Sequence, residues 1–246
     1  MTRPFEQSLN FVDAALQLFE GVLPKYTKDE MKPKLLEIQE ELLAHGVTGV
    51  HEAGVNADEL SLLDEMVSSN ALKLNIYAML APSEENKNFV RKNGVYRNKS
   101  LLVRSFKAYV DGALGSSGAL LKEPYHDHPN YNGLSLSSVS ELNRLRDFCL
   151  SNGYQLNCHG IGDAAVSQIL EMCKKAYDKN PDHRFRLEHA QVVDPKDLKT
   201  SLKSMFRKYK EYSVKGKQQK HYIKNNFSWD KMNTLIHSIL DNKDKV

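Results

Sequence analysis

The chain has 246 residues, 41% hydrophobic and 26% charged, with a formal net charge of +3; that composition suits a globular chain with a buried core and excludes a low-complexity polypeptide. Cys149, Cys158 and Cys173 are an odd set without CxxC spacing, so neither a disulfide framework nor a zinc knuckle is expected, and a reducing, cytoplasmic setting fits. No run approaches the ~20 apolar residues of a membrane span, and residues 1–19 carry polar and acidic groups too often for a signal peptide.

Charge is uneven along the chain. From Thr200 onward eleven Lys and Arg stand against four Asp and Glu, a net +7, and the preceding part is −4. The basic character therefore belongs to the tail.

In chain order, residues 5–19 predict a helix stopped by Gly21 and Pro24. Thr27 to Glu30 form a capping box that opens a second helix with Leu35, Ile38 and Leu42 on one stripe and Gly46 at its end. Residues 47–54 predict a strand that gives way to a glycine loop after His51 and Glu52. A helix over 58–68 aligns Leu60, Leu63 and Val67, a strand over 73–80 is closed by Pro82, and a short helical piece surrounds 86–90.

The next strand begins at Leu101 and runs to Asp111. Ser138 to Glu141 form another capping box, opening a helix that buries Leu142, Leu145 and Cys149 and ends at Asn152-Gly153. A strand over 154–159 leads to a helix over 164–177 with Val166, Ile169, Cys173 and Tyr177 aligned; a strand over 184–189 follows, and Asp194-Pro195 starts a further helix. Strand and helix alternate five times, which predicts a parallel sheet with helical crossovers, either doubly wound or a barrel.

Three strings, at 104–118, 157–163 and 186–191, place polar residues at strand ends, where a barrel keeps its chemistry. Period two sets Phe106, Ala108 and Val110 toward helices and Ser105, Lys107, Tyr109 and Asp111 toward the interior. A lone interior ammonium is costly, so residue chemistry alone pairs Lys107 with a carboxylate such as Asp111. His159 ends its strand before Gly160 and Gly162, with Gln155 and Asn157 on its face. For the last strand two registers stay open: Phe185 and Leu187 form an apolar lower layer inside the barrel with His189 above them, which the apolar filling of barrel interiors favours, or Glu188 is the interior residue.

Two further patterns are weak. His126 and His128 have metal-pair spacing but stand in a polar loop between Pro124 and Pro129, and Gly112, Gly115 and Gly118 fit neither a dinucleotide fingerprint nor a P-loop, so they are read as shaping a loop.

Taken together, FKAYVDGALGSSGALLKEPY, NCHGIGDAAV and RLEHAQVVDP resemble the YtcJ-like branch of the metal-dependent amidohydrolase superfamily, with similarity from about Gly21 to Leu198. The resemblance implies a (β/α)₈ TIM-like barrel and one or two divalent metals, usually zinc, that activate water against carbon–nitrogen bonds other than peptide bonds in small amide-type substrates. Family roles fall on Lys107, as a carbamate bridging the metals, and on His159 and His189 as imidazole ligands. The family's HxH pair on a first strand and its aspartate on an eighth are not found.

The resulting expectation is an α/β chain with about five of eight barrel strands: a partial barrel over 1–199 and a basic helical tail of different origin over 200–246. Two activity readings stand beside each other, a metal-dependent amidohydrolase and an inactive remnant or fusion product lacking the HxH and aspartate ligands. Unpaired barrel edges predict association with another chain. The tail reads as two amphipathic helices, with Tyr209 and Tyr212 in the first and Ser228, Trp229, Met232, Ile236 and Leu240 in the second. It resembles the closing helices of a nucleotide-sugar glycosyltransferase family; no nucleic-acid or membrane partner is expected.

Overall fold

The computed structural model describes residues 26–207, 213–214, 216–218 and 220–221. The helix expected over 5–19, Tyr209 and Tyr212 of the first tail helix, and the second tail helix lie outside the described residues. The chain divides into two compact units, Met1–Asp194 and Pro195–Val246.

Among the described residues of the first unit, the earliest element is α1 (Lys28–Ala44), where the Thr27 hydroxyl accepts the Glu30 amide while the Glu30 carboxylate accepts from the Thr27 amide. Leu35 and Leu42 pack against the core. Ile38 does not: it is 52% exposed. The buried position of this helix is Gln39, whose amide donates to the Ala71 carbonyl and whose oxygen accepts the Lys73 amide, so a polar side chain ties the helix to the approach of a strand.

Five parallel strands follow, β1 (Gly49–Val55), β2 (Asn75–Leu80), β4 (Leu101–Tyr109), β5 (Gln155–Gly160) and β6 (Arg186–His189), in that spatial order; β3 (Tyr96–Asn98) pairs antiparallel with β4. Helices α2 (Ala57–Ser68), α3 (Glu84–Asn93), α4 (Val139–Asn152) and α5 (Asp163–Lys179) intervene. Capping boxes at Asn56/Glu59 and Ser138/Glu141 start α2 and α4, and left-handed Gly153 ends α4. The architecture is a partial TIM-like barrel, five strands in order with helical crossovers.

From Ser105 onward packing follows the period-two division of β4, and the register shift against β2 between Ala78 and Met79 sets Leu101 and Val103 on the same covered face as Phe106. Phe106 stacks edge-on against Phe148 of α4 and lies against Tyr154, while Leu101, Val103, Val110, Leu156 and Cys158 are fully buried between sheet and helices. Each such large side chain contributes roughly 1.5–3 kcal/mol of burial. In α5, Val166 and Ile169 are buried and Cys173 packs at the margin, but Tyr177 is 43% exposed. The expected loop after Glu52 is instead continuous strand: Gly54, at φ +98, carries the register irregularity between Ala53 and Val55 while pairing with β2 continues to Leu80.

In the second unit, α6 (Pro195–Arg207) begins at Pro195 as the Asp194-Pro195 pair predicts. Leu198, Leu202 and Phe206 are exposed along it.

Candidate metal centre

The inner face of the sheet is polar. Tyr77 donates to Gln155, Asn157 donates to the Met79 sulfur, and the His51 and Tyr77 rings lie 4.8 Å apart. Higher along β4 and β6, Lys107, 4% exposed, is ion-paired with Glu188, and Arg186 donates to the other Glu188 oxygen. Burial alone would raise the Glu188 pKa, but the Lys107 and Arg186 hydrogen bonds and charges outweigh it and hold the carboxyl below its ordinary value.

The expected Lys107–Asp111 pair is therefore replaced. Asp111, fully buried just past β4, accepts three backbone amides instead, from Leu120, Ile161 and Gly162 at 2.9, 3.0 and 2.8 Å. Glu188 reaches Lys107 because β5 separates their strands by a single lattice step: Lys107 pairs in register with Asn157, and His159 with Glu188.

The register favoured for β6 is also corrected. Phe185 and Leu187 pack into the core between sheet and helices, and the Leu187 side chain stands against Gly160 and its neighbour Ile169; Arg186 and Glu188 hold the interior face. His189 should then point outward with Leu187. Its φ of +74 and the +48 of Ala190 break the alternation, and its ring comes to 4.5 Å from that of His159, edge to face. The sequence offers no signal for a non-glycine residue in this conformation.

The three residues singled out by sequence thus sit on adjacent strands, His159 and His189 in ring contact and Lys107 one strand away beside Tyr109, whose ring is 5.3 Å from the ammonium and 5.4 Å from the His159 ring. Glu188, Arg186 and the Asp111 amide cluster were not foreseen in these roles. Burial and the neighbouring His189 lower the His159 pKa, with Asp111 opposing them. His126 and His128 stay in the turn before Tyr131, His128 beside Asp127.

Among the described residues no three His, Cys, Asp or Glu side chains are grouped as a metal site. His159 Nε2 is buried without a hydrogen-bond partner, and an imidazole nitrogen in that condition is suited to a cation. His159 and His189 fit a divalent ion; Lys107 fits once its ammonium is exchanged for an anionic group.

Family comparison decides the lineage. The model of the Amidohydrolase family matches residues 8–205. The chain belongs to that family. The match begins before the similarity expected from Gly21 and reaches into the tail as far as residue 205.

Among curated relatives of this amidohydrolase chain, Protein LONG AFTER FAR-RED 3 of Arabidopsis thaliana is 30% identical over 198 residues, 75% of this chain and 34% of that protein. Putative amidohydrolase YtcJ of Bacillus subtilis (strain 168) is 34% identical over 125 residues, 51% of this chain and 22% of that protein. The chain therefore spans about a third or less of these relatives. Two solved structures are similar: an uncharacterized metal-dependent hydrolase from Pyrococcus furiosus (TM-score 0.65, 29% identity, 80% of this chain and 39% of the other) and one from Pyrococcus horikoshii OT3 (0.63, 28%, 75% and 37%).

Proposed function

We propose that this chain carries the central part of a metal-dependent amidohydrolase site acting on small amide-type substrates, with Lys107, His159 and His189 as cation ligands and zinc as the ion. The observation that carries the reading is the His159 Nε2, buried without a hydrogen-bond partner, beside the His189 ring. The family match and the metal-dependent hydrolases of similar fold support it.

When bound, a divalent cation supplies Lewis acidity, polarising a carbonyl oxygen and making water a stronger acid. The chain's own residues hold the geometry. His159 and His189 present imidazole nitrogens from adjacent strands, Tyr109 lies against the His159 ring, and Glu188 with Arg186 and Lys107 keeps the interior charge paired. For Lys107 to act as a carbamate, its neutral amine adds to carbon dioxide, forming the N–C bond and releasing a proton, and Glu188 keeps Arg186 as its cation. Residues 1–199 form the barrel part and 200–246 a separate tail in this proposal; association through the β1 and β6 edges, and a cytoplasmic setting, belong to it as well.

The Lys107–Glu188 pair favours a second reading, in which the lysine remains an ammonium and the chain is a non-catalytic relative. Zinc content of the purified full chain, with hydrolysis assays on N-acyl and N-formyl compounds, separates the two. Stoichiometric zinc and turnover, both lost in His159→Ala and Lys107→Ala, are expected; a chain without zinc or turnover sinks the enzymatic reading.

A further inference from the structure

We infer that Asp111 is a positioning residue for the cation site: it pins the two loops that flank His159 and supplies the fixed negative charge that His159 Nε2 faces. This rests on the metal-dependent reading above. Both carboxylate oxygens are engaged. Oδ2 accepts the amides of Leu120 and Gly162, Oδ1 accepts that of Ile161, and Oδ1 also lies 3.7 Å from His159 Nε2. Three converging N–H donors are a set matched to an anion.

The bonds join segments distant in sequence. Leu120 belongs to the long excursion after β4, whereas Ile161 and Gly162 turn β5 into α5. The Leu120 carbonyl in turn accepts the Ala164 amide at the start of α5. Gly162 is pressed so closely on this strand of loop that a Cβ there would fall 2.0 Å from the Leu120 carbonyl oxygen. Asp111 is thus the shared acceptor of a rigid clasp at the strand end that carries His159.

Glu188 is neutralised by Lys107 and Arg186, whereas the Asp111 carboxylate faces the His159 imidazole. A carboxylate so placed favours a cation at Nε2 by Coulomb attraction, without itself being displaced from its amides.

The test is calorimetric titration of the full chain and its Asp111→Asn variant with Zn²⁺ alone, each with a melting curve. The asparagine keeps the volume but loses the charge and one acceptor oxygen. The expected result is a zinc affinity at least fivefold weaker in the variant while it remains folded. A staple with no influence on the site would lower the melting temperature and change zinc affinity by less than fivefold, and that overturns the inference. If the variant does not fold, amide exchange of the unaltered chain decides: zinc should slow Leu120, Ile161 and Gly162, and unchanged rates at all three refute the coupling. Failure of the unaltered chain to bind zinc is a separate outcome, which sinks the metal reading and this inference with it.

Discussion

Replacing Glu188 by Gln removes the anion that compensates Lys107, and the structure indicates how the cost divides. The Lys107 side chain is 5% exposed and that of Glu188 19%. Asp111 cannot substitute, since its oxygens are committed to amides. Removing one partner of a buried pair costs about 3–5 kcal/mol, and the partial hydration of Glu188 places Glu188→Gln near the lower end, about 3 kcal/mol. Lys107→Met leaves Glu188 with Arg186 and loses one charge-assisted bond, about 1.5 kcal/mol. The double variant, with neither charge buried unpaired, should be at least 1.5 kcal/mol more stable than the sum of the singles implies, because contacting residues couple. Urea unfolding with EDTA in bicarbonate-depleted buffer at pH 7, followed by circular dichroism, measures this; with a slope of about 2 kcal/mol per molar, Glu188→Gln shifts the midpoint by about 1.5 M. Strict additivity would refute the pairing.

Three further outcomes follow from the packing. Asp147 receives Arg146 and Lys179, which hold its pKa down at about 2; a depressed carboxyl stabilises the fold above its unfolded pKa, near 3.8, and that share is lost as pH falls toward 2. Lys179→Ala should therefore lower stability above about pH 4, by a few tenths of a kcal/mol at most because Asp147 is 48% exposed, and leave stability near pH 2 unchanged, seen as a shallower loss in acid titrations of the variant. Burial pushes the Cys158 thiol up to about 12 and raises Cys149 as well, so a thiol reagent at pH 8 should label both only after unfolding; rapid labelling of the native chain would contradict the core assignment. Gly162→Ala, whose Cβ meets backbone at 2.0 Å, should cost more than Gly160→Ala, whose Cβ meets the mobile end of Ile169 at 2.4 Å; overpacking costs about 1–3 kcal/mol, and melting curves rank the pair.

Much of the architecture is legible because local chemistry and tertiary packing agree: capping boxes start α1 and α4 where the motifs stand, and alternation along β4 separates Phe106 from Lys107. Elsewhere tertiary context overrides the local pattern. Ile38 continues an apolar stripe but faces solvent, and Gly54 reads as a break yet bends a continuous strand. The short β3 carries too few residues to announce itself.

At the site, Lys107 and His159 follow from strand alternation, whereas His189 arrives by a positive φ that no pattern encodes. The partner of Lys107 was misread for a related reason. Asp111 is closest in sequence, but amide donors from two loops claim it, and the acid that reaches the ammonium comes from β6, two strands away.

Cobalt(II) absorption tests the central claim most directly, because ligand geometry is read from the ion itself. Titrating the full chain with Co²⁺ should produce intense visible bands of a low-coordinate imidazole site, weakened in His189→Ala and abolished in His159→Ala. A spectrum indistinguishable from aqueous Co²⁺ in the unaltered chain would contradict the assignment of Lys107, His159 and His189 as a metal centre.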